Sequence, residues 1–268
     1  MDLTISLGQF DVVRGNPEAN LAKARQMTRE AALRGSGVVV FPELWSTGFD
    51  LQNAARYACD LEQGVFVEVA RLAREFQIHI VGSNLSVVAP GKYGNTATLF
   101  TPQGQMLGAY SKIHLFHLMD EHLYLIAGDR LALLDTPWGK TGLAICYDLR
   151  FPELFRTYAL AGARLVFLPA AWPHPRLAHW QILLRARAIE NQMYVVACNR
   201  VGKSSKYDFF GHSCVIDPWG EVCIESGEDE TLLTAKISMD MVTEAREKLP
   251  VFRDRRPEVY KIDQSGII

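Results

Sequence analysis

Two thirteen-residue stretches of the chain align without a gap. "LRGSGVVVFPELW" at 33–45 and "LAGARLVFLPAAW" at 160–172 each run from a helix end through a glycine into an apolar strand. Each then continues with Pro, two residues and Trp, and five of the thirteen positions are identical. A strand this apolar needs both faces covered, as in a sheet flanked by helices. Its repetition predicts two similar halves, a sheet-on-sheet body with helices outside.

The rest of the chain keeps the alternation. "LTISLGQF" reads as a first strand, and Asn16-Pro17-Glu18 as a helix start with a capping side chain, a proline and a first-turn acid. That helix is expected to end at Gly35, and a second one covers about 64–77. "NTATLFTPQGQMLGAYSK" and "CVIDPWGEVCIES" read as hairpins. Between them the pattern predicts strands at 141–146, 164–168 and 193–198, with helices near 152–161 and 176–191. No Ser/Gly/Pro-rich linker interrupts the series, so 1–268 reads as one α/β domain. The final twenty residues, from about 250, are too polar and irregular for core and read as an arm.

Composition narrows the function classes. The net charge is −2, with no long run of either sign, which argues against nucleic-acid and membrane-surface partners. The first residues lack the basic and apolar regions of a signal peptide, and no apolar run reaches the roughly 18–20 residues that span a bilayer. The five cysteines are odd in number and scattered, without a C-x-x-C pair. That usage fits a reducing cytoplasm, with most thiols buried and one open to chemistry.

Three strand ends carry unusual residues: Glu43 after "GVVVFP", Lys112 after "GAYS" and Cys146 after "TGLAI". In α/β folds, strand ends line the crevice where chemistry takes place. Each residue alone has a plainer reading, as a loop acid or helix cap, a solvated lysine and an inert buried thiol. The repeat weakens the first of these. Glu43 aligns with Ala170, so the strand-to-loop geometry does not require a carboxylate. A general base is the better reading of Glu43.

The segments "FPELW", "YSKIHLF" and "AICYDLRFPE", in this order, resemble the three signature segments of the nitrilase superfamily of carbon–nitrogen hydrolases. The resemblance runs nearly end to end. The stretches "HLFHLMDEHLYLIAG" and "LPVFRDRRPEVY" place it nearest the omega-amidase-like branch. It implies a four-layer α-β-β-α sandwich and a catalytic triad of Glu43, Lys112 and Cys146, assisted by Glu121. It also implies no metal or organic cofactor, and a homodimer whose C-terminal arm reaches the partner. The implied substrate is a small carboxylate-bearing amide of the 2-oxoglutaramate type, cleaved through a cysteine thioester with release of ammonia.

Physical chemistry agrees with these roles. An ordinary thiol is a few per cent ionised at neutral pH and needs a base of raised proton affinity; burial and a second carboxylate both supply that. Lys112 and the backbone N–H of Tyr147 are the expected donors to the oxyanion. Arg150, Arg176 and Arg200 are candidates for the substrate carboxylate, and Trp45, Phe49, Phe116, Tyr124 and Trp172 for the pocket lining. Other specificities of the superfamily, nitrilase or N-carbamoyl amino acid hydrolase, share the triad and stay open. Outside it stand a non-catalytic binding domain of this fold and a metal-dependent hydrolase. The latter would use His114, His117 and His122, with Asp120, Glu121, His174 and His179 as further ligands.

Overall fold

The computed structural model describes residues 1–204 and 206–260. Its first half runs β1 (Asp2–Gln9), α1 (Pro17–Leu33), β2 (Val38–Val40), a short α2 (Ala54–Tyr57), α3 (Gly64–Phe76), β3 (His79–Ala89), β4 (Lys92–Phe100) and β5 (Met106–Ser111). A single-turn helix, α4 (Glu121–Tyr124), lies in the connection to the second half. There the order is β6 (Leu133–Thr136), β7 (Gly139–Leu143), α5 (Pro152–Leu160), β8 (Leu165–Ala170), α6 (Leu177–Asn191) and β9 (Tyr194–Asn199). A small ribbon of β10 (Val201–Lys203) and β11 (Asp208–Phe210) precedes the hairpin β12 (Cys214–Ile216) and β13 (Val222–Glu225). The chain then returns through β14 (Thr231–Ser238) and ends in α7 (Asp240–Lys248).

The two six-stranded sheets have the same plan. One is ordered β14-β1-β2-β3-β4-β5 and the other β6-β7-β8-β9-β12-β13. In each, three parallel strands (β1–β2–β3 and β7–β8–β9) form the centre, and the remaining pairings are antiparallel. The two aligned stretches contribute β2 and β8, the middle strand of each parallel trio. This is the expected α-β-β-α sandwich.

The apolar run of β2 has a direct cause. Val38 and Val40 point into the core between the sheets, with Leu143, Val166 and Val196. Val39 and Phe41 point to the outer core, with Ala24 and Ala31 of α1 and Phe66, Val69 and Leu72 of α3. Both faces are buried, so the period-two alternation of a half-exposed strand is replaced by continuous apolar sequence. Asn16 caps α1 as its composition implies, accepting from Ala19 N at 3.1 Å.

One expectation needs correction. The strand before Cys146 ends at Leu143, and Cys146 opens a 3₁₀ turn, Cys146–Arg150. At the start of the expected arm, Phe252 packs against the main hydrophobic core, with the guanidinium groups of Arg156 and Arg246 over its ring. The remainder of the arm from 261 lies outside the described residues. No helix among the described residues is long and apolar enough to cross a membrane.

Candidate active site

Pro42 has no N–H and ends the β2 ladder, whose last bond runs from Phe41 N to Val81 O at 2.8 Å. The next residue turns to the opposite sheet. Glu43 N donates to Ala170 O at 3.2 Å, and Ala171 N donates to Glu43 Oε2 at 3.0 Å. Glu43 is thus clamped against its own counterpart in the second repeat. Leu44 then adopts a left-handed backbone, with φ 47°, and its N–H donates to Ser83 Oγ.

Lys112 follows the last residue of β5. Its N–H donates to Asn95 O at 2.8 Å, and its C=O accepts from Gly128 N at 2.9 Å. The ammonium, with its side chain fully enclosed, donates to Glu43 Oε1 at 2.7 Å and to Glu121 Oε1 at 2.6 Å. Asn95 Nδ2 also donates to Glu43 Oε1, at 2.8 Å. Glu121 opens α4 behind Asp120, another left-handed residue at φ 60°, and its Oε2 accepts from Phe116 N at 3.0 Å. The sequence-predicted Glu43, Lys112 and Glu121 therefore form one buried cluster.

Cys146 sits on the turn at φ 45°. Non-glycine residues are uncommon in this region, and such strain collects at functional sites. Asp148, fully buried, holds the turn: it accepts from Ile145 N, His114 N, His114 Nδ1 and Tyr110 Oη at 2.7–3.1 Å. Those donors tie the Cys146 turn to the end of β5 that carries Lys112. The Ala171 N–H faces both Glu43 Oε2 and the cysteine sulfur.

The electrostatics follow from burial. Burial pushes the Cys146 thiol well above its ordinary value and Glu43 adds to the effect, only partly offset by Lys112 and the Ala171 N–H. A thiol whose proton affinity is raised in this way would need a base before it could act as a nucleophile. Burial also raises Glu121, to about 7, with Lys112 opposing and Glu43 reinforcing. Burial alone would discharge Lys112, but the two carboxylates outweigh it and hold the ammonium above its usual range.

A cleft beside the sulfur is lined by Phe116, Tyr147, Arg150, Ala171, Trp172 and Arg176. Arg150 lies over the rings of Tyr147 and Trp172, and Arg176 over Phe116. Among the described residues neither guanidinium has a carboxylate partner. Four of the proposed lining or binding residues, Phe116, Trp172, Arg150 and Arg176, are therefore at the cleft.

The others are not. Trp45 is core: it packs on Phe41 with ring centres 5.5 Å apart, and a Cβ at Gly82 would come within 2.7 Å of its Nε1. Phe49 and Tyr124 line a second cavity of about 460 Å³, next to Arg200 and Tyr207, though Phe49 also packs against the cluster that holds the cleft residues Phe116 and Ala171. A shared cluster of Phe116, Met119, Ala171 and Phe209 lies between this cavity and the cleft. Arg200 is buried and paired with Asp11 at 2.8 Å, which makes it structural. The histidines of the metal reading do not assemble into a ligand set among the described residues. His114 bonds to Asp148 and stacks on Phe151, His117 and His122 stack on each other, and among the described residues no group of three metal-ligating side chains forms.

Sequence reasoning did not find Asn95, Asp148 or the Ala171 N–H. The repeat held the signal for the last, since it aligned Glu43 with Ala170. Asn95 and Asp148 carried no signal beyond being polar residues in apolar strand or turn sequence.

Comparison with known proteins gives the same result from another direction. The carbon–nitrogen hydrolase family model matches residues 4–247. A 2-oxoglutaramate amidase of Bacillus subtilis is 42% identical over 260 residues, 97% of this chain and 100% of the relative. Omega-amidase NIT2-B of Xenopus laevis is 35% identical, with 97% of both chains covered. A CN-hydrolase superfamily protein of Xanthomonas campestris, solved with an arsenic adduct in its active site, superposes with a TM-score of 0.89. It is 31% identical, over 96% of this chain and 98% of that one. The enclosed lysine between two carboxylates and the strained cysteine lie within the matched span, and the chain belongs to the carbon–nitrogen hydrolase family.

Proposed function

We propose that this enzyme is an omega-amidase that hydrolyses the terminal amide of a small carboxylate-bearing substrate, with 2-oxoglutaramate as the type compound. The observation that carries the reading is a cleft with Cys146 at its floor and two guanidinium groups, Arg150 and Arg176, at its wall. Burial and the charge of Arg176 both lower the proton affinity of Arg150, which marks two like charges facing one space. A substrate carboxylate answers both. The 42% identity to a 2-oxoglutaramate amidase supports the same substrate class.

In this reading Glu43 takes the Cys146 proton, and the thiolate attacks the amide carbon. Lys112 has three N–H bonds, two of them directed at Glu43 and Glu121. The third, with the Tyr147 backbone N–H, meets the oxyanion as it develops. Glu43 returns the proton to the leaving nitrogen, ammonia departs, and a thioester remains. Glu43 then removes a proton from water, which attacks the thioester and releases the acid with the thiol restored. Glu121 keeps Lys112 in place and holds the charge balance of the cluster.

Two further parts of the reading concern the setting. Leu160 of α5 and Ile182 and Ile189 of α6 are exposed apolar residues on the outer layer, and a second copy of the chain across these helices would bury them in a homodimer, with the arm from about 250 reaching the partner. The five cysteines are free, which suits a cytoplasmic enzyme.

The test is Cys146→Ala, assayed by ammonia release from 2-oxoglutaramate, succinamate, glutamine, simple nitriles and carbamoyl amino acids. The variant is expected to stay folded and lose all turnover, while the parent favours 2-oxoglutaramate and succinamate. Turnover by the variant, or a parent active only on nitriles, overturns the reading.

A further inference from the structure

We infer that Asn95 is a positioning residue for the general base: its side-chain N–H fixes Glu43 Oε1 so that Oε2 receives the Cys146 proton. The inference rests on Glu43 being the base, as proposed above.

The main chain of Asn95 has an ordinary role. It sits in β4 opposite Leu85, and its C=O accepts from Lys112 N at 2.8 Å. Any strand residue could do this. The side chain is unusual. It is fully buried, its Nδ2 donates to Glu43 Oε1 at 2.8 Å, and its buried Oδ1 has no hydrogen-bond partner among the described residues. A buried amide with its acceptor unsatisfied is unfavourable, and an apolar side chain of similar size would pack at lower cost. What an apolar residue could not supply is the N–H on Glu43.

That N–H makes the two oxygens of the base unequal. Oε1 accepts from Asn95 and from the charged Lys112, whereas among the described residues Oε2 accepts from Ala171 alone. Two donors on Oε1 stabilise negative charge there and lower the basicity of its lone pairs. The single donor on Oε2 is the amide that also faces the sulfur. When the thiol proton moves to Oε2, the S–H bond breaks, an O–H bond forms, and the Ala171 N–H can follow the charge to the thiolate. Oε1 keeps both of its donors throughout. The carboxyl group need not rotate before handing the same proton to the leaving nitrogen.

The experiment compares Asn95→Ala and the similarly sized Asn95→Leu with Glu43→Gln, reading kcat, KM and pH profiles of 2-oxoglutaramate hydrolysis per titrated Cys146. For Asn95→Ala, kcat is expected to fall about 10- to 100-fold, the range for a hydrogen bond to a charged group, with KM within about twofold. The acidic limb of kcat/KM should move to higher pH, because the anionic base has lost a donor. Asn95→Leu removes the same donor at similar size, so its limb should move the same way; it also carries the test if the alanine variant folds poorly. A wild-type kcat, or an unmoved acidic limb, in a folded variant overturns the inference, whatever the melting temperature. Those results beside an inactive Glu43→Gln would remove only the role of Asn95. An active Glu43→Gln would instead remove the assignment of the base.

Discussion

Glu121→Gln offers the sharpest test of the charge balance in the cluster. The side chain is completely enclosed, and burial with the neighbouring Glu43 raises its carboxyl from an ordinary 4.5 to about 7. A carboxyl whose folded value lies above its unfolded one binds protons more tightly in the native state. Stability is then highest at low pH and falls as pH rises from the unfolded value through the folded one. Between pH 5 and pH 8 this group alone should cost the parent enzyme about 2.5 kcal/mol, to order of magnitude. Glutamine keeps the shape, and its oxygen can still accept from Lys112, but it cannot ionise. Urea unfolding at pH 5, 6, 7 and 8, for parent and variant side by side, measures the difference. The parent should lose about 2.5 kcal/mol more than Glu121→Gln across that window, or roughly 5–10 °C in midpoint. Parallel pH dependences would show that the proton is not on Glu121, and the account of the cluster's charge would fall with it.

Other perturbations separate substrate binding, positioning and packing. Arg150→Ala should raise KM for carboxylate-bearing amides about 10- to 100-fold and leave neutral amides nearly unchanged; an equal effect on both classes would remove the carboxylate role. Gly128→Ala places a Cβ 2.1 Å from Ser111 O, beside the turn that anchors the Lys112 carbonyl. Its backbone must shift, so stability should fall by about 1–3 kcal/mol and kcat more severely than KM, as read by melts and steady-state kinetics. Trp45→Ala should cost about 3–5 kcal/mol in denaturant unfolding with KM unaltered, since Trp45 fills the outer core; a KM effect at constant stability would return it to the pocket.

Much of the molecule was legible because its strands and helices are locally consistent. The β2 and β8 runs, the Asn16 cap and both hairpins are specified by residues close together in the chain. Cys146 shows where that reading stops. Apolar sequence continues through Ile145, but the strand ends at Leu143, because the turn is held by Asp148, which accepts from Ile145 N within the turn and from three donors on the distant Tyr110 and His114. The two tryptophans of the repeat show the same limit. Trp172 lies on the cleft under Arg150, whereas Trp45, at the same repeat position, lies in the outer core. Leu44 reverses the backbone just before Trp45, so strand periodicity cannot say which way it faces. Arg200 looked as available as Arg150 in sequence, and only Asp11, 189 residues away, accounts for its charge.

The clamp between Glu43 and the Ala170–Ala171 peptide joins the two sheets at the proposed point of proton transfer. The first half contributes Glu43 and Lys112, and the second contributes the thiol and the amide that faces it. Separation of the sheets by about an ångström would break the proposed acid–base contact while most of each half's own hydrogen bonds stayed intact. Inter-sheet spacing thus acts as a gauge of catalytic competence. Heat or denaturant should silence this enzyme before its secondary structure is lost.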